Sequence, residues 1–383
     1  MFLLLTMRNA TAWDGDDALY IMNARNIVLG LPYAHTGYIV NPDNVINPAA
    51  YPPGLPLLLA PIYWLYGVSF IKMKALCVVC FAAFIAVFCR MLLLYVPPIL
   101  ALATAAALGF HPFIWDFKDT LYSELPFMLA CYAALLLIHR AQTTLRPSVP
   151  LLLGAAVLLA AAYLIRTVGI VLFPAALLAA VLLPKRAIAA TFAVAAAAGL
   201  LAWTVQRFFP PDIGTYVGYF KDFSLQGVRT AVLRYLEIKR TLIGSAATSA
   251  RPHIALVLTV AAALLISVGF LHRLRRVTVV EIFFIGYWAL LFTYPISLEQ
   301  GRYSLPVWPL IFLYFATGLS LVMQWLGRRG GRLFTSLVFG AVLVCYVAQF
   351  RIEFSVPIPY PIEAPESRAM FEAVRKEVPR DAV

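Results

Sequence analysis

Two short segments near the start of the chain contain the residue types that could do chemistry. Residues 14–20 read DGDDALY and hold three carboxylates, and residues 51–56 read YPPGLP. A carboxylate can take the proton from an acceptor hydroxyl or amine during group transfer, which contributes about 10²–10⁴-fold to the rate. Two neighbouring acids could divide this labour, one as the base and one binding a divalent cation. Asp16 and Asp17 are therefore candidate catalytic residues, although Asp16 could equally cap the helix that follows.

Three further charged residues stand at predicted junctions between loops and apolar helices. Glu124 begins one apolar segment, Arg166 interrupts another, and Arg302 precedes a third. An ionisable group at hydrocarbon depth is costly and marks a functional site by default, and an arginine can hold a phosphate through two hydrogen bonds. Each also has a plainer explanation. Glu124 could complement a helix dipole, Arg166 could snorkel to the interface, and Arg302 could pair with Glu299.

The elements that must position these residues are strongly apolar. Of 383 residues, 62% are hydrophobic and 13% are charged, and the mean hydropathy is +0.85, whereas soluble domains are about half apolar and a quarter charged. Apolar stretches of about 20 residues recur, which predicts an all-α polytopic membrane protein rather than a barrel. The net charge of +12 is then explained by basic cytoplasmic loops and not by a nucleic-acid partner. Carboxylates at the lipid–water boundary of such a protein suit chemistry on a polar substrate that a lipid carries.

The hydropathy pattern predicts a bundle of about 10–11 transmembrane helices. Spans are expected near residues 70–95, 98–114, 121–139, 149–165, 167–183, 187–206, 254–271, 277–294, 304–326 and 333–350, with a short interfacial helix near 56–66. Residues 1–6 are too short to cross and read as the end of a first span. The stretch 149–183 could be one span or two, because Arg166 and Gly169 interrupt it. Two spans place five basic loops without Asp or Glu on one side of the membrane, so the positive-inside rule favours two.

This topology places the candidate residues on the opposite, external side of the membrane. The external segments are then 7–55, 111–123, 207–253, 295–303 and the tail 351–383. Within them, the pattern over 228–236 indicates an amphipathic helix on the interface or a solvated connector. A second short amphipathic helix is expected over 367–378. Since all the candidates share one face and lie where loops meet helices, we expect them to line one cleft.

The order of several motifs resembles the GT-C superfamily of integral-membrane glycosyltransferases, in particular the bacterial relatives of dolichyl-phosphate-mannose–protein mannosyltransferases and of lipid A aminoarabinose transferases. The first external loop supplies Asp16-Asp17, Tyr20, Ala24-Arg25, Gly30 and Pro52-Pro53-Gly54-Leu55-Pro56. Later segments supply Ser123-Glu124 with Pro126, Leu164 and Arg166 with Gly169, and Arg302-Tyr303 with Pro306 and Pro309. No single motif is very specific, but their order and spacing hold from about residue 14 to residue 310.

The resemblance implies an inverting transfer of a sugar from a polyprenyl-phosphate donor to a lipid, glycan or protein acceptor. The reaction would take place on the outer face of the bacterial inner membrane, towards the periplasm or exterior. Asp16 would be the base, while Asp17 and Glu124 would position the acceptor or a divalent cation such as Mg²⁺ or Mn²⁺, which the carboxylates allow but do not require. The candidate substrate-binding residues are Tyr20, Arg25, Arg166, Arg302 and Tyr303. Of these, Arg166 and Arg302 would hold the lipid phosphate.

The expected organisation is a GT-C catalytic domain over residues 1–350 and an external tail over 351–383. The tail resembles the start of a C-terminal soluble domain that is truncated or absent. Three other functions stay open. A transporter or flippase of lipid-linked saccharides would place ionisable groups near mid-membrane and show repeated halves. An O-antigen polymerase or ligase would also use large external loops and arginines, but the early acidic pair and the Pro-Pro-Gly motif favour GT-C. The third open alternative is an inactive scaffold.

Overall fold

The computed structural model describes residues 6–7, 15–37, 48–182, 185–218, 225–237, 252–293, 300–353 and 365–377, and all regular elements in these ranges are helices. In chain order they are α1 (Gly15–Leu29), α2 (Gly54–Tyr66), α3 (Phe70–Leu92), α4 (Pro98–Gly109), α5 (Pro112–Phe117), α6 (Glu124–Thr143), α7 (Val149–Ile165), α8 (Leu172–Val181), α9 (Lys185–Phe208), α10 (Ile213–Gly218), α11 (Leu225–Glu237), α12 (Pro252–Arg273), α13 (Val279–Thr293), α14 (Gln300–Ser304), α15 (Trp308–Glu353) and α16 (Pro365–Glu377). A short 3₁₀ turn, Thr167–Val171, leads into α8.

The predicted membrane bundle is confirmed within the described residues. Six helical segments are long and apolar enough to cross a membrane: Phe70–Leu92, Glu124–Thr143, Ile188–Phe208, Leu256–Arg276, Gly301–Gly327 and Arg329–Phe350. Five shorter apolar helices, of 10–17 residues, accompany them. The last two long segments meet inside α15 at Gly327, whose φ of +71° is readily adopted only by glycine, and the first of them also includes α14. The chain is therefore a multi-pass membrane protein, and each predicted span corresponds to a helix.

Helices α7 and α8 form a hairpin with Arg166 at its turn. The ring of Tyr163 lies 6.2 Å from the ring of Phe173, although ten residues of continuous helix would separate them by about 15 Å. The side-chain amide of Gln142, at the far end of α6, donates to the carbonyl of Ala176 at 2.9 Å. Helix α8 thus runs back along the bundle, so the stretch 149–183 forms two helical segments, as predicted, rather than one.

The end of the bundle away from Arg166 gathers basic segments. Arg273 forms a 2.9 Å ion pair with the buried Glu281, and its guanidinium lies 4.0 Å from the centre of the Tyr95 ring. The Tyr95 ring in turn lies 6.4 Å from the ring of His139. Three of the predicted basic loops therefore meet at one end. Glu124, at the other end of α6 from His139, is about 22 Å away along the helix axis.

The two predicted amphipathic helices are both present, as α11 and α16. Helix α11 contacts α13 and α14, and Ala231 on its inner side is buried. It is therefore packed against the bundle beside the short helix that carries Arg302, which neither interpretation of this segment anticipated. Helix α15 continues to Glu353, and the division into a domain over 1–350 and a tail over 351–383 stays a prediction.

Candidate active site

The carboxylate of Asp16 lies at the centre of a buried polar cluster. Asp16 stands in the first turn of α1, where the free N–H groups of a helix N-terminus favour negative charge. The hydroxyl of Tyr51 donates to its Oδ1 at 2.5 Å, and Nη2 of Arg302 donates to its Oδ2 at 2.6 Å. Asp16 is thus held by side chains from two other segments and does not serve merely as a helix cap.

Glu124 joins the two arginines of the cluster. Its Oε1 accepts a hydrogen bond from Nη1 of Arg166 at 2.6 Å and another from Nε of Arg302 at 2.5 Å. The Glu124 side chain is fully buried, while those of Arg166 and Arg302 are 13% and 9% exposed. Nη1 of Arg166 also donates to the hydroxyl of Ser123 at 2.9 Å. Arg302 uses different guanidinium nitrogens for the two acids, so it bridges Asp16 and Glu124.

Three tyrosines complete the walls of the cluster. The hydroxyl of Tyr20 donates to Ser123 at 3.0 Å. Burial, and then the negative charge of Asp16, raise the pKa of Tyr20 far above its usual value, so Tyr20 is a neutral donor and not a base. The guanidinium of Arg302 lies 3.8 Å from the centre of the Tyr122 ring, and that of Arg166 lies 5.8 Å from the centre of the Tyr303 ring. Stacking on aromatic faces holds both arginines without consuming their N–H donors.

The helical bundle of this chain is similar to one of known structure. The crystal structure of ArnT from Cupriavidus metallidurans bound to undecaprenyl phosphate matches with a TM-score of 0.54 and 13% sequence identity. The chain has the fold of ArnT. The match covers 83% of this chain but only 57% of ArnT, and at this identity it concerns the fold alone. No protein-family model matches the sequence, and a search of curated proteins finds no match.

The likeness to ArnT confirms the predicted fold class, an all-α membrane bundle. Within it, six of the eight predicted site residues come together, Tyr20 through the hydroxyl of Ser123: Asp16, Tyr20, Glu124, Arg166, Arg302 and Tyr303. The snorkelling explanation for Arg166 is set aside, since its guanidinium is turned into the bundle towards the carboxylate of Glu124. Glu299, the alternative partner of Arg302, lies outside the described residues, as does Asp14.

The other two predicted residues, Asp17 and Arg25, are placed differently. Asp17 is buried, but its side chain leaves α1 about 100° round the helix from that of Asp16. Arg25 is part-exposed and lies about 13 Å along the axis from Asp16, on the opposite side of α1. The structure therefore does not bring Arg25 to the cluster in the ArnT fold.

The sequence-based prediction missed three contact residues, namely Tyr51, Tyr122 and Ser123. Tyr51 and Ser123 stand beside Pro52 and Glu124 in motifs that had been noticed, and Tyr122 lies one residue before Ser123. Tyrosine and serine are common in loops, so nothing local distinguished them. A pairing between residues 16 and 51 would have identified Tyr51, but such a pairing is a tertiary fact.

The predicted divalent-cation role of the carboxylates is not tested by the structure. Among the described residues there is no group of three or more His, Cys, Asp or Glu side chains that could hold a metal ion. The two guanidinium groups already flank Oε1 of Glu124, where they supply the positive charge that a cation would bring. The metal role of Asp17 and Glu124 thus stays an untested prediction that the geometry does not favour.

Gly54 of the Pro-Pro-Gly motif positions Arg166 from outside the cluster. A Cβ atom on Gly54 would lie 2.6 Å from the backbone nitrogen of Ile165 and 2.7 Å from the carbonyl carbon of Leu164. The start of α2 therefore packs directly on the end of α7, one residue before Arg166. Only a residue without a side chain allows this approach, which explains why the motif needs glycine there.

Gly54→Ala is expected to destabilise the protein by about 1–3 kcal/mol, because the contacting atoms belong to backbone that cannot move aside cheaply. Thermal unfolding in detergent measures the loss of stability. The matched control is Gly199→Ala in α9, where an added Cβ meets nothing within 4 Å. Equal behaviour of the two variants would contradict a packing role for Gly54.

Proposed function

We propose that this chain transfers a sugar from a polyprenyl-phosphate donor to a lipid, glycan or protein acceptor, with inversion at the anomeric carbon. The observation that carries the proposal is the buried cluster of Asp16, Glu124, Arg166 and Arg302 at one end of an apolar helical bundle. A donor with a lipid tail and a phosphate needs both features, hydrocarbon-exposed helices and buried guanidinium groups. The likeness to ArnT, whose structure holds undecaprenyl phosphate, supports the same donor class.

The arginines would receive the donor phosphate. As the sugar leaves, negative charge develops on the phosphate oxygens, and two preorganised guanidinium groups stabilise that charge in a site sheltered from water. Arg302 already donates to both Asp16 and Glu124, while Arg166 donates to Glu124. An arriving phosphate therefore competes with Asp16 for Arg302. When Nη2 of Arg302 turns to the phosphate, Oδ2 of Asp16 is released to accept a proton.

The bond changes then follow in one displacement. The acceptor oxygen or nitrogen attacks the anomeric carbon on the face opposite the phosphate, and its proton passes to Oδ2 of Asp16. The bond between the anomeric carbon and the phosphate oxygen breaks, and its electron pair leaves with the polyprenyl phosphate. A single displacement inverts the configuration at the anomeric carbon.

The proposed location is the bacterial inner membrane with the cluster facing the periplasm or exterior. Support comes from the distribution of charge along the bundle axis. The basic loops near residues 139–146 and 273–276 lie at the end away from Asp16. Because basic loops stay in the cytoplasm, the cluster would lie on the outer side.

A transfer assay tests this function. Inner-membrane vesicles containing the protein are supplied with a panel of radiolabelled polyprenyl-phosphate sugars, and Asp16→Asn is measured beside the wild type. Label that moves from one donor to an acceptor, and stays on the donor in the variant, would support a lipid-donor glycosyltransferase and name its sugar. Folded protein that transfers from no donor would overturn the proposal, and label that crosses the membrane still attached to its lipid would indicate a transporter.

A further inference from the structure

The segment that carries Tyr51 is fixed by side chains on both sides. The Thr36 hydroxyl donates to the carbonyl of Ala49 at 3.0 Å, and the Tyr33 hydroxyl donates to the carbonyl of Tyr51 at 2.6 Å. Tyr33 is held in turn by Asn23 in the C-terminal half of α1, whose side-chain amide donates to the carbonyl of Tyr33 at 2.9 Å. Tyr51 therefore presents its hydroxyl to Asp16 from a backbone with little freedom.

Asp212 clasps the same segment from a distant loop. The backbone N–H of Ala49 donates to Oδ2 of Asp212 at 3.3 Å, and the N–H of Asp212 donates to the carbonyl of Ala50 at 2.9 Å. Beside this clasp, the ring of Phe209 contacts that of Tyr33 edge-on at 5.8 Å between centres. The hydrogen bond between Ala49 and Asp212 joins the segment after α9 to the segment that carries Tyr51, across 163 residues of sequence.

Asp212 is itself oriented by the start of α10. The hydroxyl of Thr215 donates to its Oδ2 at 2.7 Å, and the N–H of Thr215 donates to its Oδ1 at 3.2 Å. Burial opposes ionisation of Asp212, but the hydrogen bonds from Thr215 and Ala49 outweigh it and hold its pKa below the usual value. Asp212 therefore acts as a charged acceptor at neutral pH, and charge-assisted hydrogen bonds are the stronger kind.

We propose that Tyr51 and Asp212 are positioning residues for Asp16: Asp212 fixes the segment 49–51, and Tyr51 fixes the orientation of the Asp16 carboxylate. The inference rests on the proposed function, in which Asp16 is the base. An aspartate carboxylate rotates about a broad, roughly two-fold torsion. Because the Tyr51 hydroxyl holds Oδ1, Oδ2 is the oxygen that faces Arg302. After the sugar donor binds, Oδ2 faces the acceptor.

The kinetic test compares Tyr51→Phe, Asp212→Asn and the double variant. Tyr51→Phe keeps the ring, whose centre lies 4.5 Å from that of the Tyr20 ring, and removes the hydroxyl that donates to Asp16. It should lower kcat about 10–100-fold and leave the donor KM within about threefold, because misplacement of the base by 1 Å can cost 10²-fold. Asp212→Asn should lower kcat less, by about 3–10-fold, since it acts through the position of Tyr51. The double variant should match Tyr51→Phe alone, because both changes act through one hydrogen bond.

Two controls separate positioning from general loosening. Thr204→Val removes an exposed hydroxyl that bonds the carbonyl of Leu200 within α9, away from Asp212 and Tyr51, so kcat should stay within about twofold of the wild type. Tyr66→Phe, on an exposed tyrosine of α2, should behave in the same way. Multiplied losses in the double variant, or a donor KM that rises with the fall in kcat, would overturn the proposal.

A second readout does not depend on turnover. Hydrogen exchange of peptides that cover residues 15–29 and 48–66 is compared between wild type and Asp212→Asn in detergent. We expect faster exchange at the beginning of both peptides, since release of the clasp frees the segment 49–51 and with it Asp16. Unchanged exchange near residue 16 would overturn the positioning role of Asp212 even if no sugar donor were found. If the wild type transfers sugar and Tyr51→Phe has the same kcat, the positioning role of Tyr51 is overturned and the proposed function stands.

Discussion

Asp16→Asn should lower sugar transfer by at least about 10²-fold while the protein keeps its fold. Asparagine preserves the shape of the side chain and can still accept the hydrogen bond from Tyr51, but it cannot take a proton from the acceptor. General-base catalysis contributes about 10²–10⁴-fold, which sets the size of the loss. Arg302 retains Glu124 as a partner, so the variant does not leave an arginine without a carboxylate.

The donor KM separates this role from simple binding. In the proposed mechanism the phosphate competes with Asp16 for Arg302, so Asp16→Asn should leave the donor KM unchanged or lower it. A residue that only bound the donor would raise KM instead. The measurement is kcat and donor KM in vesicles with matched protein levels. Glu366→Gln is the control, since Glu366 is also in the first turn of its helix but is exposed. A fall of less than about tenfold would rule out Asp16 as the base.

Arg302→Lys should raise the donor KM by about 10–100-fold, even though the positive charge remains. Arg302 spans Asp16 and Glu124 through two separate nitrogens, Nη2 and Nε. A lysine ammonium is a single point of charge and cannot keep both carboxylates and also form a fork on phosphate. Each lost charge-assisted hydrogen bond contributes about 1.5–3 kcal/mol, which corresponds to the expected change in affinity.

Arg302→Lys is also expected to keep the fold better than Arg302→Gln. Removal of one partner from a buried ion pair costs about 3–5 kcal/mol, so Arg302→Gln would confound binding with unfolding. Binding of undecaprenyl phosphate to the purified variant, followed by thermal stabilisation, gives the affinity without turnover. Arg275→Lys, at an exposed position of the basic end, is the matched control. Unchanged affinity in Arg302→Lys would count against a phosphate role for Arg302.

The helices of this protein follow from local sequence. An apolar stretch of about 20 residues cannot leave its backbone polar groups unpaired in lipid, so it becomes a helix whatever surrounds it. The hairpin at Arg166 could likewise be predicted, since charge placement in the loops discriminates one span from two. An ionisable residue within apolar sequence carries its own signal, which is why Asp16, Glu124, Arg166 and Arg302 could be recognised individually.

The pairing of these residues was decided only by the tertiary structure. Arg302 reaches Asp16 across 286 residues of sequence and Glu124 across 178, and no local pattern encodes which carboxylate lies between the two arginines. Arg25 matched a motif as well as Asp16 did, yet helix packing turns it to the opposite side of α1. Tyr51 and Asp212 carried no signal because their contacts with Asp16 and with residues 49–50 are hydrogen bonds between segments distant in sequence. Hydrophobicity and charge are properties of a residue and can be read from its type, whereas a contact depends on how separate helices pack, which single positions do not determine.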